Sequence, residues 1–278
     1  MLLQIDIYKE TIYLGIKLIA LDLDDTLLNE DCQISERNQQ AIVKAVQQGV
    51  AVTVATGRPF ITALPFAKQL NLDVPLIVYN GALIKTSLSE EILFYQPVPP
   101  AVAAEIFSLA EKAGWFVQVY LNDNFYVKEL NHWTESYAKI AKIEPIVVGN
   151  DVYKISEPAA KIMIRGRPEE LPLIRDELSE RFPHKFSMAI SHPTFLEITD
   201  CGVNKGAALS KLAARLGIDR EEVMAVGDSG NDVAMLKFAQ WSFAVANASA
   251  EAKKAARFQT GRNTADGVAE AIEKYVLH

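Results

Sequence analysis

KLIALDLDDTLL, residues 17–28, is the stretch from which the fold is read. An apolar run, Leu18-Ile19-Ala20-Leu21, leads into Asp22, Leu23, Asp24, Asp25 and Thr26, and Leu27 and Leu28 resume the apolar character. A short apolar run ended by acidic, turn-prone residues reads as a buried strand that opens into a loop. Two carboxylates two residues apart at the mouth of such a strand are costly unless a cation meets them. That conflict between apolar surroundings and charge points to chemistry.

Downstream, Ser35 precedes a helical pattern (Ala41, Ile42, Ala45, Val46) that Gly49 can end. Ser can cap the free amides of the first turn, and Gly takes the left-handed conformation at the stop. VAVTVAT (50–56) reads as a second buried strand, and Pro59 suits the first turn of a helix running to about Leu70. PLIVYNG (75–81) reads as a third strand. Strand–helix–strand–helix–strand with short links predicts a parallel sheet with right-handed crossovers.

The middle of the chain changes character. Hairpins are expected at ALIKT/EILFY and at WFVQVYL/NFYVKE, the second turning at Asn122-Asp123. Helices are expected near 101–113, 131–142 and 168–182, with strands at AAKIMIRG and KFSMAIS. Regular alternation returns with FLEIT (195–199), a helix from Asn204 to Leu216, EVMAVGD (222–228), NDVAMLKFA and WSFAVANA. The expectation is an α/β fold: a Rossmann-like parallel-sheet core made of residues 1–85 and 191–278, with an α+β cap domain, residues 86–190, inserted in it. Residues 1–15 precede the organised fold as an extra strand or an upstream extension of the reading frame.

At 278 residues there is ample length for such a core. Half the residues are hydrophobic and 23% charged, as in ordinary soluble proteins. Lys and Arg number 28 against 35 Asp and Glu, a net charge of −7. That balance argues against nucleic acid as a partner, because such binding rests on cations facing phosphates. No stretch is long and apolar enough for a membrane span, and the N-terminus lacks the basic start of a secretory signal. Cys32 and Cys201 fit two reduced thiols in a cytoplasmic protein. Monomer and homodimer are both compatible with the sequence.

Four predicted strand ends or helix starts carry polar residues: Asp22 and Asp24, Thr56, Lys205, and Asp228 with Asn231 and Asp232. In parallel α/β sheets ligands bind outside the carboxyl ends of strands, so these distant motifs can converge. An ionised Asp can act as nucleophile, and a second carboxyl that keeps its proton can act as general acid. Asp228 and Asp232 can hold a hard divalent cation such as Mg²⁺. Lys205, the Thr56 hydroxyl and the Asn231 amide can steady a transferring phosphoryl group. Taken singly, each motif is ordinary turn or capping chemistry; in this order and together they point to a site.

LDLDDTLL, VATGR, GVNKG and GDSGND closely resemble motifs I to IV of the haloacid dehalogenase superfamily of phosphohydrolases. The resemblance spans about residues 17–278, and the Asn80-Gly81 pair with the long insert before Lys205 is similar to the Cof-type branch with a type IIB cap. It implies a Mg²⁺-dependent phosphatase for a small phosphorylated metabolite, such as a sugar phosphate or a phosphorylated cofactor. Asp22 would become an aspartyl phosphate and Asp24 would serve as acid and base. Asp22, the Asp24 carbonyl and Asp228 would bind the metal, with Asp232 as a further ligand or a support. Thr56, Lys205 and Asn231 would hold the phosphoryl group. Asp25 stands where the family often has Gly. A phosphomutase and a non-catalytic metabolite-binding protein are the alternatives. In the cap, His132, Trp133, Arg165, Arg167, His184 and His192 are candidates to meet the leaving group, with Arg165 foremost because it follows KIMI at a turn.

Overall fold

The computed structural model describes residues 15–71, 75–141 and 143–277; the expectation for residues 1–14 lies outside this range. Leu18–Leu21 form β1, every residue of it buried. The Leu23–Leu27 loop leads to α1 (Glu36–Gln47), whose first turn is capped by the Ser35 hydroxyl accepting from the Asn38 amide. Gly49 takes φ +86° after the helix, as its place in the pattern requires. Then come β2 (Ala51–Val54), α2 (Phe60–Gln69) and β3 (Leu76–Val78). The expected hairpin follows as β4 (Leu83–Lys85) and β5 (Ile92–Tyr95).

The inserted segment opens with α3 (Pro100–Ala113), then β6 (Phe116–Leu121) and β7 (Asn124–Val127). Their turn puts Asn122 at φ +49° and Asp123 at φ +61°, two left-handed residues that suit a tight hairpin and that Asn and Asp tolerate. Helix α4 (His132–Ala141), β8 (Ile146–Val147), β9 (Lys161–Arg165), α5 (Leu171–Arg181), β10 (Phe186–His192) and β11 (Phe195–Asp200) complete it. These strands form one sheet in the order β10-β11-β9-β6-β7-β8. Strand alternation sorts its two faces. Val117, Val119, Ile162, Ile164, Leu196 and Ile198 pack with residues of α3 and α5. Tyr120 and Met163 turn the other way and join the main core with Tyr137 of α4.

The chain then supplies α6 (Lys205–Arg215), β12 (Val223–Gly227), α7 (Val233–Phe238), β13 (Trp241–Val245), α8 (Ala250–Ala255), β14 (Phe258–Thr260) and α9 (Gly267–Tyr275). A parallel sheet results, ordered β14-β13-β12-β1-β2, with β1 between β12 and β2. β14 is a three-residue edge strand that sequence pattern does not disclose, being too short to show alternation. β3 extends the parallel order beyond the end of β2 only briefly. It joins the sheet through one parallel bridge, Ala55 to Ile77, as expected of a third parallel strand, and its main ladder is antiparallel with β4.

The expected domain boundaries are corrected by pairing. The 85/86 division falls inside the β4–β5 hairpin, and the 190/191 division falls inside β10. Backbone hydrogen bonds keep Gln96 with the β4 side, whereas Val98 already bridges Ala159 of the insert. FLEIT, expected in the core, is β11 and lies between β10 and β9 in the six-stranded sheet. Its apolar alternation would suit either sheet; only its hydrogen-bond partners distinguish them. The two crossings are themselves tied together, since the Gln96 amide donates to the Asp200 carboxylate (2.7 Å) and to the Cys201 carbonyl (3.0 Å). No described helix is long and apolar enough to cross a membrane.

Candidate active site

Because β1 lies between β2 and β12, the residues that follow these three parallel strands meet at one edge of the sheet. Asp22 follows β1, Thr56 closely follows β2, and Asp228 follows β12. After Asp22 the chain turns at once, with Asp25 at φ +58° and its carbonyl held by the Asn247 amide. Asp is among the few L-residues that accept this left-handed backbone, which is also where Gly is at ease.

Lys205 enters from α6. The Asn204 side chain caps that helix by accepting from the Ala207 amide at 2.8 Å. The fully buried Lys205 ammonium donates to Asp22 Oδ1 at 2.6 Å and to Asp232 Oδ1 at 2.7 Å. Gly206 lets α6 lie against α7, since a Cβ there would sit 2.4 Å from the Ala234 carbonyl oxygen. Asp232 also accepts from the amides of Asp228 and Ser229, both at 3.0 Å, and from the Ser229 hydroxyl at 3.4 Å. The Thr26 hydroxyl donates to Asp228 Oδ1 at 2.8 Å.

Asp22, Asp228 and Asp232 present carboxylate oxygens all within 4.8 Å of one another. Burial first, then the Asp232 charge, push the Asp22 carboxyl well above its ordinary range, against the pull of Lys205. The same two causes push Asp228 up to about 7. Burial pulls the Lys205 ammonium down, yet Asp22 and Asp232 outweigh it and hold the group above its ordinary value. Three crowded acids facing one ammonium leave an excess of negative charge in a poorly solvated place. This donor set fits a hard cation bound through carboxylate oxygens. Asp22 and Asp228 line the cleft, whereas Asp232 lies wholly buried behind them with its oxygens taken by four donors. Asp232 is thus placed to hold Lys205 and the 228–229 backbone.

Asp24 also lines the cleft, and its carboxylate is gripped by a residue that sequence reasoning passed over. Arg58 donates from Nε to Asp24 Oδ2 at 2.8 Å and from a terminal nitrogen to Oδ1 at 2.5 Å. Arg58 stands two residues after Thr56 in the quoted VATGR motif, so its position carried the signal. The Thr56 hydroxyl accepts from the Arg58 amide at 3.1 Å. Asn231 accepts from the Ser229 hydroxyl at 2.6 Å and donates to Asn80 Oδ1 at 3.0 Å. Asn80 in turn donates to Glu197 at 2.7 Å, and Glu197 is ion-paired with Lys161. Asn80, Lys161 and Glu197 were not anticipated as site residues, although a Lys in AAKIMI and a Glu in FLEIT are charges inside apolar strands.

A cleft of about 260 Å³ opens over Asp22. Its far wall, from the insert, includes Tyr137, Met163, Ser191, His192 and Phe195. His192 thus lines the cleft, with its Nδ1 3.0 Å from the Thr194 hydroxyl and its ring 4.5 Å from that of Phe195. Arg165 is not among the lining residues, contrary to expectation. Its guanidinium is turned into the packing of α4 and β11, donating to the carbonyls of Thr194 and Trp133, with Phe195 4.2 Å beneath it. Burial lowers it to about 10. His132 and His184 are exposed, and Arg167 is paired with Glu170 at the surface. Cys32 lines the cleft as a free thiol, and Cys201 is exposed.

A parallel α/β sheet whose strand ends gather an aspartate pair, a buried lysine and a second acidic loop, under an inserted α+β unit, defines a phosphohydrolase. The chain belongs to the haloacid dehalogenase-like hydrolase family, which it matches over residues 19–272, and within it to the Cof-type phosphatases. It is 35% identical over 269 residues to the 5-amino-6-(5-phospho-D-ribitylamino)uracil phosphatase YcsE of Bacillus subtilis, covering 94% of this chain and 96% of that one. It is 27% identical to the pyridoxal phosphate phosphatase YbhA of Escherichia coli, covering 94% and 99%. A haloacid dehalogenase-like hydrolase from Bacteroides thetaiotaomicron has the same fold, with a TM-score of 0.83, 33% identity and coverage of 93% and 99%. This chain is accordingly an enzyme of the phosphoric monoester hydrolase class.

Proposed function

We propose that this protein is a Mg²⁺-dependent phosphatase that hydrolyses a small phosphorylated metabolite through an aspartyl phosphate on Asp22. The observation that carries the reading is the placement of Asp22: at the floor of the cleft, 2.6 Å from a buried Lys205, beside Asp228. Asp22, the Asp24 carbonyl and Asp228 would hold the metal, which when bound supplies positive charge to the phosphoryl oxygens. An Asp22 oxygen attacks phosphorus as the bond to the leaving oxygen breaks. Lys205, Thr56 and Asn231 hold the phosphoryl group and offset its charge. Asp24, protonated for this step on an oxygen released from the Arg58 fork, hands a proton to the leaving oxygen, and then takes one from the water that opens the acyl phosphate. The wall of Tyr137, Met163, His192 and Phe195 suits a leaving group with a planar or apolar face. That favours a phosphorylated cofactor or cofactor precursor that carries a ring, as the substrates named for the two relatives do.

The test is phosphate release from a panel of phosphorylated metabolites with and without Mg²⁺. Asp22→Asn is expected to lose at least about 10³-fold in kcat, and full activity in that variant would overturn the assignment. Asp24→Ala is expected to slow alkoxide leaving groups more than p-nitrophenolate, which departs without a proton. An equal loss for both would remove Asp24 from the acid role. Interconversion of isomers without phosphate release would indicate a mutase instead.

A further inference from the structure

The buried ion pair between Lys161 and Glu197 belongs to the insert, yet it reaches into the phosphoryl-binding machinery of the core. Lys161 lies on β9 and Glu197 on β11, and alternation along both strands turns them toward the core sheet. Both are almost wholly buried, at 1% and 3% exposure. A buried charge pair of this kind is seldom retained for stability alone, because desolvation offsets much of its attraction.

Its hydrogen bonds have a direction. Glu197 accepts from Lys161 through Oε1 and from the Asn80 amide through Oε2 at 2.7 Å. An ionised carboxylate only accepts, so Asn80 must turn its NH₂ toward Glu197 and its carbonyl toward Asn231. The Asn80 carbonyl then accepts from the Asn231 NH₂ at 3.0 Å, and the Asn231 carbonyl accepts from the Ser229 hydroxyl at 2.6 Å. One acceptor thus orients two amides in series. Lys161 meanwhile donates to the Gly57 carbonyl at 2.7 Å, one residue beyond Thr56.

Two further features hold the series in place. Asn80 sits at φ +56°, a left-handed conformation that presents its side chain to both neighbours. Gly57 lies against the chain of amides so closely that a Cβ there would be 3.0 Å from Asn80 Oδ1 and 3.1 Å from Glu197 Oε2.

We infer that Lys161, Glu197 and Asn80 are positioning residues for phosphoryl binding. The insert, through its ion pair, fixes the donor edge of Asn231 and the backbone after Thr56 in the geometry that receives a phosphate. This rests on the phosphatase reading above, and the test separates the two.

The measurement is calorimetric binding of inorganic phosphate in the presence of Mg²⁺, which needs no turnover. Glu197→Gln keeps shape but offers Asn80 a donor as readily as an acceptor, and is expected to weaken phosphate binding about tenfold. Because that variant leaves Lys161 without a charged partner and could unfold, Asn80→Gly is the second. It keeps the left-handed backbone, removes the middle link, and is expected to weaken phosphate about fivefold, with a cooperative melting curve showing that the variant is folded. Mg²⁺ affinity should stay within about twofold in both, since neither residue belongs to the acidic cluster. Phosphate affinity within twofold of the parent in Asn80→Gly overturns the inference and leaves the ion pair a packing feature. A parent that binds no phosphate also overturns it. A parent that binds phosphate tightly and releases none from any ester would sink the phosphatase reading while leaving this one standing.

Discussion

The most informative single contact is the fork between Arg58 and Asp24. A guanidinium that meets both carboxylate oxygens fixes the plane of the acid as well as its place. Asp24 is half-exposed at the cleft, so without Arg58 its carboxylate would be free to rotate into solvent. Lys cannot reproduce a two-point grip. Arg58→Lys is therefore expected to lower kcat about tenfold to a hundredfold, a part of the roughly 10²- to 10⁴-fold that a general acid contributes, and to do so most for poor leaving groups. A kcat loss independent of the leaving group would show that Arg58 acts elsewhere. His192 supplies a pH-dependent test at the same scale. Burial first, then the Arg165 charge, pull its imidazole below the ordinary value, against Asp25. In the window below about pH 6.5 the unfolded chain then binds more protons than the folded one, so this group's contribution to stability rises with pH through the window and is level above it. The melting temperature of His192→Gln relative to the parent should thus improve on going from about pH 7.5 to about pH 5.5. A constant difference would exclude the effect.

Elements were legible in proportion to how local their signals are. Ser35 caps α1 as its position in sequence indicates, and Gly49 ends that helical stretch with positive φ. The Asn122-Asp123 turn was equally plain. What escaped were β14, three residues long, and the ownership of β5 and β11. A strand's alternation states that one face is buried, not which strand lies beside it. The close approach of α6 to α7 was invisible for the same reason. There Gly206 carries the load of contact, and Gly206→Ala is expected to push α6 off Ala234. Overpacking of this kind costs about 1–3 kcal/mol, a fall of roughly 5 °C in melting temperature at this chain length. Since Lys205 is the preceding residue, activity should fall with it. An unchanged melting temperature would mean that the helix can slide without loss.

At the scale of the molecule, the acidic cluster joins residues from opposite ends of the chain, as the hydrogen bond between Thr26 and Asp228, 202 positions apart, illustrates. Crowding of Asp22, Asp228 and Asp232 is costly without a cation, and a bound metal offsets that cost only in the folded state. Mg²⁺ at about a hundred times its Kd should therefore stabilise the parent by about 2.7 kcal/mol, read as a rise in melting temperature. Asp228→Asn should lose most of that rise while being at least as stable as the parent in the absence of metal, because one of the like charges is gone. An undiminished Mg²⁺ shift in this variant would place the metal elsewhere.

From the residues in order, without coordinates, one could read the parallel α/β core, the presence of an α+β insert, and, as a candidate site, the set Asp22, Asp24, Thr56, Lys205, Asn231, Asp228 and Asp232. Each of these is written in a few adjacent residues: an apolar run and what ends it, a cap, a turn. The tertiary structure alone decided that Asp24 is gripped by Arg58, that Asp232 backs the cluster while Asp22 and Asp228 face the cleft, and that Arg165 serves packing while His192 lines the cleft. It alone revealed Lys161 and Glu197 of the insert reaching Asn231 through Asn80. Such pairings depend on distance between residues far apart in the chain, and distance is set by how strands pair and faces turn, which no local pattern encodes.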